Sequence, residues 1–182
     1  MIQLNKKTIY IIVAVLVVVI IVAGAGIWLM YNGGGGGTSP TPVPTVVGAK
    51  TLQFNVDENT TGYGVVTYAY AFANLTWDGN TANATGTVVR IDIPSSAGNY
   101  SYIINAATYQ AWNSTDSGAT WTVDDFPSVW TSQSAIFETY LTHLASWNGV
   151  DSSITYTTST STITIYSIRP NPTLPDSMFT AS

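Results

Sequence analysis

The chain has 182 residues and no cysteine, and its ten acidic and five basic side chains give a formal net charge of −5. The lack of cysteine excludes disulfides and thiol chemistry, and the acidic balance argues against binding to nucleic acid or to anionic headgroups. The length allows one folded domain beyond an apolar N-terminal segment.

The N-terminal segment predicts a membrane anchor. Residues 9–31 carry no charge, and Lys6 and Lys7 directly precede them in the short segment 1–8. As a helix, residues 9–31 would be about 34 Å long, enough to cross a hydrocarbon core of about 30 Å. The next basic residue is Lys50, so we expect a cytoplasmic segment 1–8 and an extracytoplasmic C-terminal part. The predicted localisation is a single-pass protein of the cell membrane.

Two alternatives to an anchor stay open. Ala23-Gly24-Ala25 has the form of a signal-peptide cleavage site, and cleavage there would give a secreted protein. Against it, the chain stays apolar through Trp28 and Tyr31, which suit the outer membrane interface. A pilin-like assembly helix is the other alternative, but the segment lacks the glutamate typical of such helices.

Residues 32–49 predict a tether. Gly33–Gly37 offers a flexible part, and the alternate prolines Pro40, Pro42 and Pro44 favour an extended spacer. Residues 50–182 then form one extracytoplasmic domain. Its ten acidic residues against Lys50, Arg90 and Arg169 give it a formal charge of −7 (3 − 10).

A period of two residues predicts short antiparallel strands through the first half of this domain. Between residues 64 and 76, Val66, Tyr68, Tyr70 and Phe72 alternate with Thr67, Ala69, Ala71 and Ala73, so one face is bulky and the other nearly bare. Further strands are expected at 85–93, 100–106, 108–112 and 120–123. Turns are expected around residues 78–80, 95–99 and 116–118.

The period then changes to that of a helix, from Trp130 to Trp147. Phe137, Tyr140, Leu141 and Leu144 fall on one helical face. Ser128 or Thr131 is the expected N-cap, and Asn148-Gly149 the expected end. A hairpin at 153–158 and 162–169 follows, and Pro170, Pro172 and Pro175 predict an extended tail. The fold class is therefore α+β, an antiparallel sheet packed on one amphipathic helix.

A family resemblance extends over about residues 52–179. It is carried by the order Val89-Arg90-Ile91, Tyr102-Ile103-Ile104, Gln110-Ala111-Trp112, Trp121, the helix, Ile163–Ile168, and a tail with Pro172, Leu174, Pro175, Met178 and Phe179. This order resembles the lipoprotein-carrier and mycobacterial-lipoprotein half-barrels, and small membrane-anchored surface proteins of archaea. The resemblance implies a curved half β-barrel around an apolar cavity for acyl chains. The chain departs from the carriers in having one helix and a protein anchor.

Two functions follow from this pattern. The first is a membrane-anchored binding module that holds a lipid or another apolar ligand, with Arg90, beside Asp92, contacting an anionic headgroup. The walls of its cavity would be Tyr70, Phe72, Ile91, Ile104, Phe137, Tyr140, Leu141 and Leu144. The alternative is a non-catalytic structural or adhesive surface domain with a solid core, which contacts other surface proteins. Arg90 and Asp92 would then form a solvated pair.

Nothing in the sequence indicates an enzyme, a cofactor or a metal site. His143 is the single histidine, and the chain has no nucleophile elbow, phosphate loop or zinc cluster. The adjacent carboxylates Asp57-Glu58 and Asp124-Asp125 are interpreted as turn and surface charge, because neighbours in a strand face opposite ways.

Five N-x-S/T sequons predict candidate glycosylation sites in the first half of the domain. Their asparagines are Asn59, Asn74, Asn83, Asn99 and Asn113.

Overall fold

The computed structural model describes residues 45–77, 82–83, 86–94 and 99–181. The predicted cytoplasmic segment 1–8, the anchor at 9–31 and most of the tether at 32–49 lie outside these residues. Within them, no helix has both the length and the apolar character needed to cross a bilayer.

Eight strands form a single antiparallel sheet, in the order β8-β7-β6-β5-β2-β1-β10-β9. They are β1 (Leu52–Thr60), β2 (Gly64–Ala73), β5 (Val88–Ile93), β6 (Tyr100–Asn105), β7 (Gln110–Ser114), β8 (Thr122–Asp124), β9 (Ser153–Thr157) and β10 (Ser161–Pro170). A separate short pair, β3 (Thr76–Trp77) and β4 (Ala82–Asn83), lies between β2 and β5 in sequence. The predicted antiparallel meander is confirmed.

One helix, α1 (Phe126–Leu144), packs on this sheet, and the predicted α+β class is confirmed. The helix starts four residues earlier than Trp130, so the expected N-caps Ser128 and Thr131 are wrong. Asp125 is the N-cap, because its carboxylate accepts a hydrogen bond from the Ser128 backbone N–H at 3.2 Å. The helix also ends earlier, at Leu144 rather than near Asn148.

The sheet has two unlike faces, as the alternation predicts. The inner face carries the large apolar residues of each strand and is covered by α1; Leu52, Phe54 and Val56 of β1 and Val89 and Ile91 of β5 are all buried there. Each such side chain contributes about 1.5–3 kcal/mol on burial. The outer face, on the opposite side, carries small and polar residues on β1 and β2. On β5, β6 and β7 it also carries the apolar Val88, Ile103 and Trp112, of which Ile103 is fully buried.

Strand β1 was not predicted, although it lies near the centre of the sheet between β2 and β10. Asp57 and Glu58 are within this strand, so their interpretation as turn residues is wrong. Asp57 points to the outer face, where it accepts hydrogen bonds from Thr67 Oγ1 and from Tyr166 Oη, the latter at 3.2 Å. Two hydroxyl partners allow the charge to sit inside a strand.

The fold begins before residue 50 and ends with a segment over the outer face. Val46 and Ala49, expected in the tether, are both buried. After β10 the Asn171 backbone N–H donates to Thr51 O at 2.7 Å. The tail then forms a 3₁₀ turn at Asp176–Phe179, where an extended chain was expected.

Candidate functional site

The eight predicted cavity residues all lie together in the core between the sheet and α1. None of them is more than 3% exposed. They are Tyr70, Phe72, Ile91, Ile104, Phe137, Tyr140, Leu141 and Leu144. The sequence therefore placed these residues correctly on one common surface of the fold.

Aromatic rings of the helix and the sheet touch directly in this core. The ring of Phe137 is edge-on to Phe72 with centroids 5.4 Å apart, and Tyr140 meets Tyr70 in the same way at 5.7 Å. Phe54 stacks beside Tyr70 at 5.1 Å. These are contact distances for aromatic pairs, so the rings fill the space between the two layers at this point.

A group of tyrosines lies at the C-terminal half of α1, close to Glu58. Burial raises the pKa of Tyr68, Tyr70 and Tyr140, and raises that of Tyr156 to about 12, and the negative charge of Glu58 adds to each shift. The hydroxyls of Tyr70 and Tyr156 are buried and have no hydrogen-bond partner in the described part of the chain. The neutral phenol is therefore the favoured form.

His143 belongs to this same side of the sheet. Its imidazole stacks on the Tyr156 ring with centroids 3.5 Å apart. Over the described ranges, no three His, Cys, Asp or Glu side chains come close enough together to hold a metal ion.

Arg90 lies on the outer face, away from the eight core residues, because it alternates with Val89 and Ile91 along β5. Its Nε donates to Asp92 at 2.9 Å and its Nη1 to Met178 O at 3.1 Å. The guanidinium also lies 5.6 Å from the centre of the Trp121 ring. Arg90 is therefore not at the mouth of a space between helix and sheet, and its role as a headgroup contact for such a cavity has no geometric support.

A groove of about 400 Å³, lined by polar and apolar surface in about equal parts, runs along the outer face, and we call it the outer groove. It crosses four neighbouring strands of the sheet, β5, β2, β1 and β10. Its residues include Gln53, Asn55, Ala69, Ala71, Asp92, Ser167, Arg169 and Met178. The small side chains of Ala69 and Ala71 form the floor of the groove. The amide, carboxylate, hydroxyl and guanidinium groups of the other residues surround this floor.

A β-bulge in β10 brings Arg169 to this groove. Asn55 pairs with Tyr166, but Gln53 pairs with Arg169, so β10 has one extra residue there. Ser167, within the bulge, has φ of 55°, a left-handed conformation unusual for a residue with a side chain. Without the extra residue, Arg169 would follow the parity of Ile165 and point to the inner face.

Two further depressions adjoin the outer groove, one on each side. One, of about 300 Å³, shares Ala69 and Asp92 with it and continues to Ser101 on β6. The other, of about 710 Å³, shares Ser167 and continues past Asp57 and Tyr166 to Trp147. The three together form a band of mixed polar and apolar lining from β6 to β9, perpendicular to the strands.

The sequence carries part of the signal for this groove, because the alternation in β2 predicts a face of small residues at Ala69 and Ala71. That pattern alone does not predict that the face forms the floor of a groove. The contribution of β10 depends on the bulge, which no periodicity reveals.

The sequons differ in exposure. Asn59 and Asn74 are exposed. The amide of Asn113 donates to Asp124 at 2.8 Å, and that of Asn99 to Ser117 Oγ at 2.8 Å. The side chain of Asn83 is outside the described part. Use of any of the five as a glycosylation site stays a prediction.

Comparison of the chain with protein-family models, with curated proteins and with solved structures gives no match.

Proposed function

We propose that this chain is a membrane-anchored, extracytoplasmic contact domain without catalytic activity, whose core is filled and whose working surface is the outer face of the sheet. This is the structural or adhesive function that the sequence left open. The membrane placement depends on residues 9–31 and their flanking lysines.

The observation that carries the proposal is the contrast between the two faces. On the inner face, Phe137 and Tyr140 of the helix touch the rings of Phe72 and Tyr70. On the outer face, a band of depressions with mixed polar and apolar lining crosses the sheet. Space for a ligand is thus found on the outer face, whereas the aromatic side chains of the inner face are used for packing.

The positions of the titratable groups support a binding role over a catalytic one. Arg90 and His143 lie on opposite faces of the sheet. Asp57 and Asp92 share the outer face, two strands and two residues apart. Both carboxylates here are also occupied by hydrogen bonds from neighbouring side chains.

An attachment assay tests the proposal. Cells that display the full chain are compared with cells that display Ala69→Leu, in which a larger side chain occupies the floor of the outer groove. Thr162→Leu is the matched control, because Thr162 is exposed on the outer side of β10 and outside the groove. We expect attachment to neighbouring cells or to purified envelope to fall with Ala69→Leu only. Equal attachment by all three, or by cells lacking the chain, would contradict the proposal.

A lipid-holding half-barrel is the second candidate, because the buried hydroxyls of Tyr70 and Tyr156 have no partner among the described residues. A bound ester carbonyl would satisfy such a hydroxyl. The resemblance to the half-barrel proteins also favours this candidate, because it implies a curved sheet.

Photo-crosslinking separates the two candidates. The full chain in vesicles is irradiated with a lipid that carries a diazirine on its acyl chain, and the labelled peptides are mapped. A filled core predicts labels in residues 9–31 alone. Labels on α1 that disappear with Leu141→Trp would favour the lipid-holding function.

A further inference from the structure

We infer that the outer groove and its two neighbouring depressions bind a neutral saccharide chain. This inference rests on the proposed function, since it names the chemistry that the outer face would recognise. It follows from the direction of the groove, its charge and its hydrogen-bonding groups.

The direction of the groove favours recognition through side chains. The groove and its two neighbouring depressions cross the sheet from β6 to β9. The backbone N–H and C=O groups beneath them are used in the hydrogen bonds between strands. A peptide that binds by strand addition needs a free sheet edge, which lies at β8 or β9 and not here. Five strand spacings give the band a length of about 24 Å, enough for several sugar rings in a row.

The charge of the groove favours a neutral ligand. Asp92 is paired with Arg90 at 2.9 Å, and the Arg169 side chain makes no hydrogen bond or ion pair within the described residues. The band thus has one guanidinium without a partner in the described part of the chain, and its neighbouring depression carries the carboxylates of Asp57 and Asp151, so the band is not a site for a polyanion. The formal charge of −7 over residues 50–182 disfavours acidic polymers further.

The hydrogen-bonding groups favour a ligand rich in hydroxyls. Gln53 offers an amide that can donate and accept at once, and Arg169 adds a planar set of donors. The Asn55 amide also lines the groove and shares a hydrogen bond with the Tyr166 hydroxyl. Vicinal sugar hydroxyls also donate and accept, so they can pair with such groups without leaving a charge unmatched. The floor is low at Ala69, which is half-buried, and a pyranose ring would approach the sheet there, since Ala71 is buried.

Aromatic surface is present at one end of the band. Trp147 lines the depression beyond Ser167, and its Nε1 donates to Asp151 O at 2.8 Å, which fixes the indole in position. Tyr166 lines the same depression, with its hydroxyl held by Asp57. The C–H faces of sugars pack on rings of this kind, so the band combines apolar platforms with polar side chains as saccharide sites require.

Titration of the full chain in detergent micelles tests the inference. The probes are neutral oligosaccharides of glucose, galactose, mannose and N-acetylglucosamine, with a uronic acid oligomer and a neutral extended peptide as comparison ligands. Binding is followed by isothermal titration and by Trp fluorescence. We expect at least one neutral oligosaccharide to bind, and both Ala69→Leu and Gln53→Ala to weaken its binding by roughly tenfold or more. Thr162→Leu should leave the affinity unchanged.

The outcomes distinguish this inference from the proposed function. If no neutral oligosaccharide binds at millimolar concentration, or if only the uronic acid oligomer or the peptide binds, the saccharide inference is overturned. Binding that is equally strong in Ala69→Leu overturns the assignment to the groove. If Ala69→Leu loses cell attachment but no saccharide binds the chain, the contact function is supported and the saccharide inference is overturned.

Discussion

At the scale of single residues, Ser167 shows how one backbone angle shapes the outer face. Its φ of 55° lies in the left-handed region, and the bulge around it turns Arg169 outward. A non-glycine residue in this region costs about 1–2 kcal/mol, and a β-branched one costs more. The geometry of the site thus depends on a conformation that strand propensity opposes.

Replacing Ser167 by valine should therefore destabilise the fold. We expect Ser167→Val to lower the free energy of unfolding by about 1–2 kcal/mol, because valine is stiff and disfavours positive φ. The measurement is denaturant unfolding of the full chain followed by circular dichroism. Ser153→Val in the extended edge strand β9 is the control and should cost nothing, since β propensity favours valine there. Equal effects of the two changes would show that the bulge imposes no constraint.

Asp116 gives a second prediction at this scale, in a turn between β7 and β8. Its carboxylate accepts hydrogen bonds from Thr120 Oγ1 at 2.5 Å and from Ser114 Oγ at 2.7 Å, and these lower its pKa to about 2. The folded state therefore binds fewer protons than the unfolded state between pH 4 and 2, and the stabilisation from Asp116 is lost as the pH falls through that range. We expect the difference in melting temperature between the wild-type chain and Asp116→Asn to shrink from pH 6 to pH 2. A difference that is constant with pH would contradict the assignment.

At the scale of elements, the start of α1 is set by one carboxylate. Asp125 accepts from the Ser128 N–H, and Pro127 fits the first turn, where no intrahelical donor is needed. We expect Asp125→Ala to cost about 1 kcal/mol of stability, as removal of an N-cap does. Ser128→Ala is the matched control, and chemical denaturation should find it within a few tenths of a kcal/mol of the wild type. A larger loss of stability for Ser128→Ala than for Asp125→Ala would indicate that Ser128 is the N-cap.

The elements that sequence patterns predict well are those with a strong period. The apolar spacing at Phe137, Tyr140, Leu141 and Leu144 predicts both the helix and the face that it buries. Strand β1 has the same alternation as β2, at Leu52, Phe54 and Val56, but adjacent charges at Asp57 and Glu58 suggest a turn. Only the partners of Asp57, ten residues and more than a hundred residues away along the chain, explain why a strand tolerates it.

The candidate site was less predictable than the fold for a related reason. The core residues follow from periodicity, whereas the outer groove depends on strand order and on the bulge. Gln53, Asp92 and Arg169 come from three strands, and β1 joins β2 to β10 across more than a hundred residues of sequence. Local patterns carry no information about such pairing.

At the scale of the whole molecule, the sheet is covered unequally. One helix shields the inner face. The outer face is covered beside β5 by the C-terminal turn, which binds Arg90 through Met178 O, and by Trp121. An open antiparallel sheet tolerates this arrangement because one face can be polar. The depressions thus lie on the face that the helix leaves uncovered.

The closed face also determines how the molecule responds to high pH. Tyr68, Tyr70 and Tyr140 have raised pKa values in the fold, and that of Tyr156 is raised to about 12. In the unfolded chain these phenols ionise at a pKa of about 10. Above pH 10 the unfolded state therefore binds fewer protons than the folded state, and the free energy of unfolding falls as the pH rises.

We therefore expect the domain to unfold cooperatively between about pH 10 and 12, at a lower pH than its surface charge alone would require. Phenolate absorbance and far-UV circular dichroism, recorded together against pH, provide the measurement. The absorbance should reach its full amplitude only as the native dichroism disappears, because the core phenols ionise on unfolding. Tyr156→Phe removes one of these groups and a buried hydroxyl without a partner in the described part of the chain, so its unfolding midpoint should move to higher pH. Complete phenolate absorbance with native dichroism intact would mean that water reaches the helix–sheet interface, and would favour a roomy interior over the filled core on which the contact function depends.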